Sequence, residues 1–256
     1  MRLVIMLVGL ALFGVKATHA TAQERPYYGA WRMNSAKSDL RGVTATYRDL
    51  GGGRIEVTGM GQKERFVIGR DGKDHPWVGG TTITWRDLDP TRYENVVKQA
   101  GKPLFTIVTT LSSDGKSQTS EMTPSAPGGG APAKSSTRFA RVSGGPSIFG
   151  TWRVAEAEAR LQIQGADDAV SFRWVNIAEA KCRFDGKDCP LVGSIPAGSS
   201  MTLRETGPRS FEYQDKTNGA VNYTSRFTVS DDGTTLTEDQ TMATGEKWHI
   251  VYDREK

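Results

Sequence analysis

At 256 residues, with 37% hydrophobic and 24% charged side chains, the chain has the composition of one or two packed domains, not of a disordered segment. Its formal charge of +4 is spread over 33 basic and 29 acidic residues, with no run of Lys and Arg interleaved with aromatics that would serve a nucleic acid. Beyond the N-terminal apolar run, no stretch approaches the roughly 20 apolar residues of a membrane-spanning helix, so no transmembrane segment is expected in the mature chain.

The N-terminus reads as an export signal: Arg2, an apolar run from Leu3 to Val15, then the small-x-small site Ala20-Thr21-Ala22. Cleavage near Ala22 predicts a mature chain starting at Gln23 in the periplasm or outside the cell. Loss of Arg2 and Lys16 lowers the net charge from +4 to +2. The remainder is uneven: Gln23 to Gly145 carries 18 basic and 12 acidic residues, Pro146 to Lys256 carries 13 and 17. Opposite signs on tandem domains favour docking of one on the other, or a basic face for an anionic partner, against plain drift after duplication.

From Gly29 onward the chain repeats itself. Gly29-Ala30-Trp31-Arg32 returns as Gly150-Thr151-Trp152-Arg153, and Asp71-Gly72-Lys73-Asp74 as Asp185-Gly186-Lys187-Asp188. Ile83-Thr84-Trp85-Arg86 matches Met201-Thr202-Leu203-Arg204, Tyr93-Glu94 matches Phe211-Glu212, and Asp114-Gly115 matches Asp232-Gly233. The last three matches share an offset of 118 (201−83, 211−93, 232−114), the mark of a duplicated folding unit. Within each copy apolar residues alternate with polar ones, as in Phe105, Ile107, Thr109 and Leu111, or Val221, Tyr223, Ser225, Phe227 and Val229. This is the period of strands with one buried face. Gly51-Gly52-Gly53, Asp89-Pro90 and Asn218-Gly219 supply tight turns between them. The prediction is all-β: two tandem antiparallel meander barrels of about eight strands each, with single helical turns at Asn34 to Ser38 and Ala155 to Arg160 as lids.

The Pro/Gly-rich stretch from Pro124 to Ser136 resembles a domain linker in composition. The first copy still needs a last strand beyond it, however, which Thr137 to Val142 supplies, so the stretch is placed in a hairpin tip. The organisation is then signal peptide 1–22, first barrel 23–142, linker 143–147 and second barrel 148–256.

Cys182 and Cys189 flank the second Asp-Gly-Lys-Asp turn, where the first copy has Ile68 and His75. In an oxidising compartment they are expected to form a disulfide. A redox or metal pair is the alternative, without Cys-x-x-Cys spacing or further ligands to support it. His75 and His249 are the mature chain's only histidines, and Asp-Gly-Lys-Asp is what a tight turn requires. No catalytic residue, metal ligand or cofactor is therefore assigned, and the chain is not read as an enzyme.

Gly-x-Trp on the first strand of a meander barrel resembles the lipocalin and calycin superfamily, and its recurrence opens both copies. Followed by Asn-x-Ala-Lys-Ser, it also resembles a group of small secreted bacterial lipocalin-like proteins. The resemblance implies a basic residue from the last strand lying over each Trp at the closed end: Arg141 over Trp31, and Arg254 over Trp152. The family it resembles is one of carriers, though the resemblance supports a barrel better than a pocket. Inward positions would then line a site for a small apolar or amphipathic ligand: Trp85, Tyr93, Asn95 and Phe105 in the first barrel, and Phe211, Tyr213, Tyr223 and Ser225 in the second. The first barrel, with Trp85 where the second has Leu203, is the favoured site. Against this stand barrels filled by their own side chains, in a structural or protein-interaction module of the cell envelope, and, third, an enzyme of unknown type.

Overall fold

A computed structural model of the chain describes residues 25–125, 134–166 and 169–255. The export signal at 1–22 and the centre of the Pro/Gly-rich stretch lie outside these. The first half forms β1 (Gly29–Met33), β2 (Thr44–Gly51), β3 (Arg54–Gly59), β4 (Gln62–Gly69), β5 (His75–Pro76), β6 (Thr82–Asp89), β7 (Arg92–Gln99), β8 (Lys102–Leu111), β9 (Ser117–Pro124) and β10 (Ser135–Ser143). The second forms β11 (Gly150–Ala157), β12 (Arg160–Ala166), β13 (Ala169–Trp174), β14 (Ala178–Cys182), β15 (Cys189–Pro190), β16 (Val192–Gly193), β17 (Ser199–Gly207), β18 (Ser210–Thr217), β19 (Ala220–Val229), β20 (Thr235–Met242) and β21 (Lys247–Arg254). They make two nearly closed antiparallel sheets of ten and eleven strands. The excess over about eight per barrel comes partly from the two-residue pieces β5, β15 and β16.

The repeat is visible in the turns. Asn218 and Gly219 both take positive φ, as do Ala100 and Gly101 at the 118-residue offset, the backbone required by a two-residue hairpin matching the strand twist. β9 and β10 pair across the Pro/Gly-rich stretch, with Ser135 opposite Met122, so the last strand of the first sheet's own repeat does lie beyond it.

The barrels are not consecutive in sequence, and here the predicted division at 143–147 is corrected. One sheet runs β4-β3-β2-β11-β10-β9-β8-β7-β6-β5; the other runs β15-β17-β18-β19-β20-β21-β1-β12-β13-β14-β16. Each repeat has given its first strand to the other barrel. The linker explains why. Only a few residues separate β10 from β11, so the two fold back as a hairpin, with Arg141 opposite Trp152. β11 then reaches β2 on its other edge. The equivalent slot in the second sheet is filled by β1, between β12 and β21.

The chain therefore crosses between barrels twice, and the crossings are tied together. The Met33 N–H donates to the Ala159 carbonyl at 2.9 Å, and the Ala157 N–H to Ser35 Oγ at 3.0 Å. Asn34 and Lys37 both donate to the Asp253 carboxylate, at 2.6 and 2.7 Å. The expected helical turns at Asn34–Ser38 and Ala155–Arg160 are absent: the first is a turn serving the crossing, and the second is strand on both sides of residues 158–159. Sheet pairing outweighs the good helix propensity of Ala and Glu there.

The second barrel holds one core running from Tyr27 and Trp31 through Phe172, Phe211 and Phe227 to Tyr252. The first holds two clusters, one around Trp85 and Tyr93 and one around Trp152 and Phe139.

Candidate functional site

Each Gly-x-Trp strand sets its Trp under an Arg, with partners exchanged relative to the sequence expectation. The Arg254 guanidinium lies 4.1 Å from the Trp31 ring centre, and Arg141 lies 3.9 Å from that of Trp152. The pairing follows from the strand exchange, because each Trp travels with the strand that crosses over. The two Arg–Trp pairs share one construction. Each indole N–H donates to the carbonyl four residues before it, Trp31 to Tyr27 at 3.0 Å and Trp152 to Ile148 at 2.7 Å. Each Arg donates to the glycine carbonyl of an Asp-Gly turn, Gly233 or Gly115. The motif glycine is needed because Gly29 has φ +145° and a Cβ there would meet Arg254 Nη1 at 2.5 Å.

In the first barrel the expected ligand site is occupied by its own rings. Trp85 and Tyr93 stack with centroids 4.2 Å apart and planes 10° apart, and Tyr47 meets Trp85 edge-on. Trp85 is 2% exposed and Tyr93 6%. Asn95 donates to the Thr84 carbonyl at 3.0 Å, and Thr109 bonds Ser120 at 2.8 Å. Phe105 is partly buried against the same cluster. These polar groups have protein partners and need no ligand to satisfy them.

The second barrel differs. Phe211 is fully buried and stacked on Phe227, centroids 4.8 Å apart, which places it in the core. Buried Ser225 donates to Glu238 Oε1 at 2.6 Å, and Tyr252 donates to Oε2 at 2.8 Å. Burial pushes the Glu238 carboxyl up, and these two donors oppose the shift. Tyr213, itself 1% exposed and part of the same core, and the half-buried Tyr223 lie at the wall of a cavity of about 380 Å³. Its apolar wall includes Trp174, Ile177, Leu191, Ile195 and Met242, and Gln62, Val78 and Gly79 of the first repeat contribute to its lining.

The charged group in this lining is Asp215. Tyr213 donates to its Oδ2 at 3.0 Å and Asn222 to its Oδ1 at 2.6 Å. Burial pushes the carboxyl up, and the two donors pull it back. The Tyr213 and Tyr223 hydroxyls are 3.4 Å apart, and burial raises both phenols well above their ordinary range. Asn222 arrives through a β-bulge: Asp215 pairs Tyr223 and Lys216 pairs Val221, leaving Asn222 as the extra residue. The first sheet has the same bulge between β7 and β8, with Leu104 as the extra residue.

Of the residues anticipated as ligand-lining, the structure thus brings Tyr213 and Tyr223 to one cavity, while Phe211 and Ser225 sit behind it in the core. Asp215 and Glu238 were missed. Counting by two from Phe211 and Tyr213 reaches Asp215, and counting by two from Leu236 reaches Glu238, so the alternation carried the signal.

The Asp-Gly-Lys-Asp segments are turns in both copies. Asp71 and Asp185 accept from the backbone N–H two residues on, at 3.0 and 2.9 Å. Asp74 and Asp188 pair with Lys98 and Lys216, each at 2.7 Å. His75 bonds Asp71 at 2.9 Å and His249 bonds Asp239 at 2.7 Å. Among the described residues no group of three or more His, Cys, Asp and Glu is placed to hold a metal ion, and no helix is long and apolar enough to cross a membrane. Cys182 and Cys189 form a disulfide, Cα atoms 5.6 Å apart. Cys182 ends β14 and Cys189 opens β15, strands near opposite margins of the sheet, so the bond fastens the seam of the second barrel. No family model matches the chain, and no curated protein matches it.

Proposed function

We propose that the protein binds a small amphipathic molecule in the cavity of the second barrel, as a lipocalin-like carrier or sensor exported after cleavage near Ala22. The observation that carries this reading is a space of about 380 Å³ with aromatic and aliphatic walls and a few convergent polar groups, the constitution of small-molecule sites. Its size suits a short amphiphile. The first barrel, centred on its own Trp85–Tyr93 stack, is then the covering partner. Gly79 lies against Pro196 and Thr217, and Gln99 accepts from the Ala197 N–H at 3.1 Å, contacts that favour docking of the barrels beside the cavity mouth. The disulfide accords with an oxidising compartment.

The test is a thermal-shift series on the mature chain with ten-carbon amphiphiles of different head groups, held below micelle formation. A native-state ligand at about 100 times its Kd adds about 2.7 kcal/mol and raises the midpoint. The shift should vanish in Ile195→Trp, which fills the cavity, with the unliganded midpoint retained. No shift with any head group, or an unchanged shift in the filled variant, would overturn the reading in favour of a filled structural module.

A further inference from the structure

We infer that the head group this cavity selects is a cation, an alkylammonium or quaternary ammonium, held at Asp215 among the rings of Trp174, Tyr213 and Tyr223. The inference rests on the preceding reading of the cavity and names its ligand class. Among the described residues of the lining Asp215 is the sole charged one, with no Lys, Arg or His. A carboxylate offers about four acceptor sites, and the observed donors, Tyr213 and Asn222, are both neutral. They orient the group without neutralising it. The Trp174 and Tyr213 rings are 5.3 Å apart at 61°, and Tyr213 and Tyr223 are 5.6 Å apart at 40°. Aromatic faces set at differing angles beside a carboxylate favour a cation through the ring quadrupole, and they disfavour an alkanoate through like charge and lost hydration.

The duplication supplies an internal control. At the same sheet positions the first copy has Val97 for Asp215, Asn95 for Tyr213, Phe105 for Tyr223 and Leu104 for Asn222. Gly59, opposite Ala45, stands where Trp174 stands opposite Leu161. Yet the scaffold around them is retained: the bulge is present in both copies, and so is the Lys–Asp pair that follows it, Lys98 with Asp74 and Lys216 with Asp188. A barrel of this design folds without the carboxylate and its rings, so stability of the fold does not require them.

The experiment compares decyltrimethylammonium, decanol and decanoate by calorimetric titration of the full mature chain, with Asp215→Asn and Trp174→Leu as variants. The cation is expected to bind at least 10-fold more tightly than decanoate. Asp215→Asn should weaken the cation at least 10-fold and leave decanol within about 2-fold. A pH series on the unmodified protein is independent of any folding defect. The titratable groups facing Asp215 are Tyr213 on its own strand and Tyr223 on β19, while β17 places Met201 opposite it. Cation affinity should therefore rise with pH as Asp215 ionises, and decanol affinity should stay flat. Decanol binding with equal or better binding of decanoate, or a cation affinity indifferent to both pH and Asp215→Asn, would overturn the cation inference and leave the carrier reading standing. Failure of all three ligands would overturn both.

Discussion

Trp31→Ala should loosen the second barrel, although Trp31 belongs to the first repeat. The side chain is fully buried in the second barrel's core. Emptying such a site costs about 3–5 kcal/mol. The substitution also removes the face over which Arg254 lies and leaves the Tyr27 carbonyl without its 3.0 Å donor, so about 4 kcal/mol is a reasonable central value. At 1.4 kcal/mol per decade, opening of the second barrel becomes about 10³-fold more frequent. Native-state hydrogen exchange read peptide by peptide should show this acceleration in β12–β14 and β17–β21, with far smaller changes in β6–β9. Trp152→Ala should give the mirror image, with the first barrel accelerated. If Trp31→Ala instead accelerated β6–β9 while β17–β21 kept their protection, the strand exchange would be refuted.

The exchange has a second signature: a protease site inserted at Gly145, around which nothing would crowd a Cβ within 4 Å, should be cut without separating the fragments, because each barrel still holds a strand of the other piece. Elution of two independent domains after cutting would contradict it. Native oxidised protein should titrate no free thiol, and a Cys182→Ser, Cys189→Ser variant should lose about 2.5 kcal/mol by the chain-entropy estimate for so short a loop, read by urea denaturation; two thiols in the native sample would sink the assignment. Glu238 is held above its ordinary value by burial, so its contribution to stability is fully present below the unfolded carboxyl's value of about 4.3 and lost as pH rises through the native value. Glu238→Gln, which mimics the protonated acid, should match the parent near pH 4 and exceed it near pH 8, and an equal deficit at both pH values would show that the carboxyl is not the cause.

The strand content, the duplication, the hairpin across the Pro/Gly-rich stretch and the disulfide were all legible, because each depends on local signals: alternation, turn chemistry and spacing. The exchange of β1 and β11 was not. Gly29–Met33 and Gly150–Ala157 carry equivalent motifs that fit either barrel, and the choice is made by a linker too short to avoid a hairpin. Trp85 was favoured as a ligand contact because a large aromatic on an inward position looks the same whether it lines a space or fills one. Its stacking on Tyr93 is what the structure adds, and alternation says nothing about stacking. Asp215 was legible by parity and overlooked because an acidic residue two places beyond Tyr213 resembles the solvated end of a strand.

The exchange also orders events in time. β1 is made before both of its partners, β12 and β21, which lie far later in the chain. During synthesis, at roughly 5–20 residues per second, an apolar segment carrying Trp31 waits unpaired until β12 and then β21 have been added. The first barrel closes when β11 is delivered, whereas the second cannot close until β21 arrives beside β1. Closure of the second barrel therefore follows that of the first and joins β1 to β21, and the waiting segment, with a free strand edge, is where a holding chaperone would act.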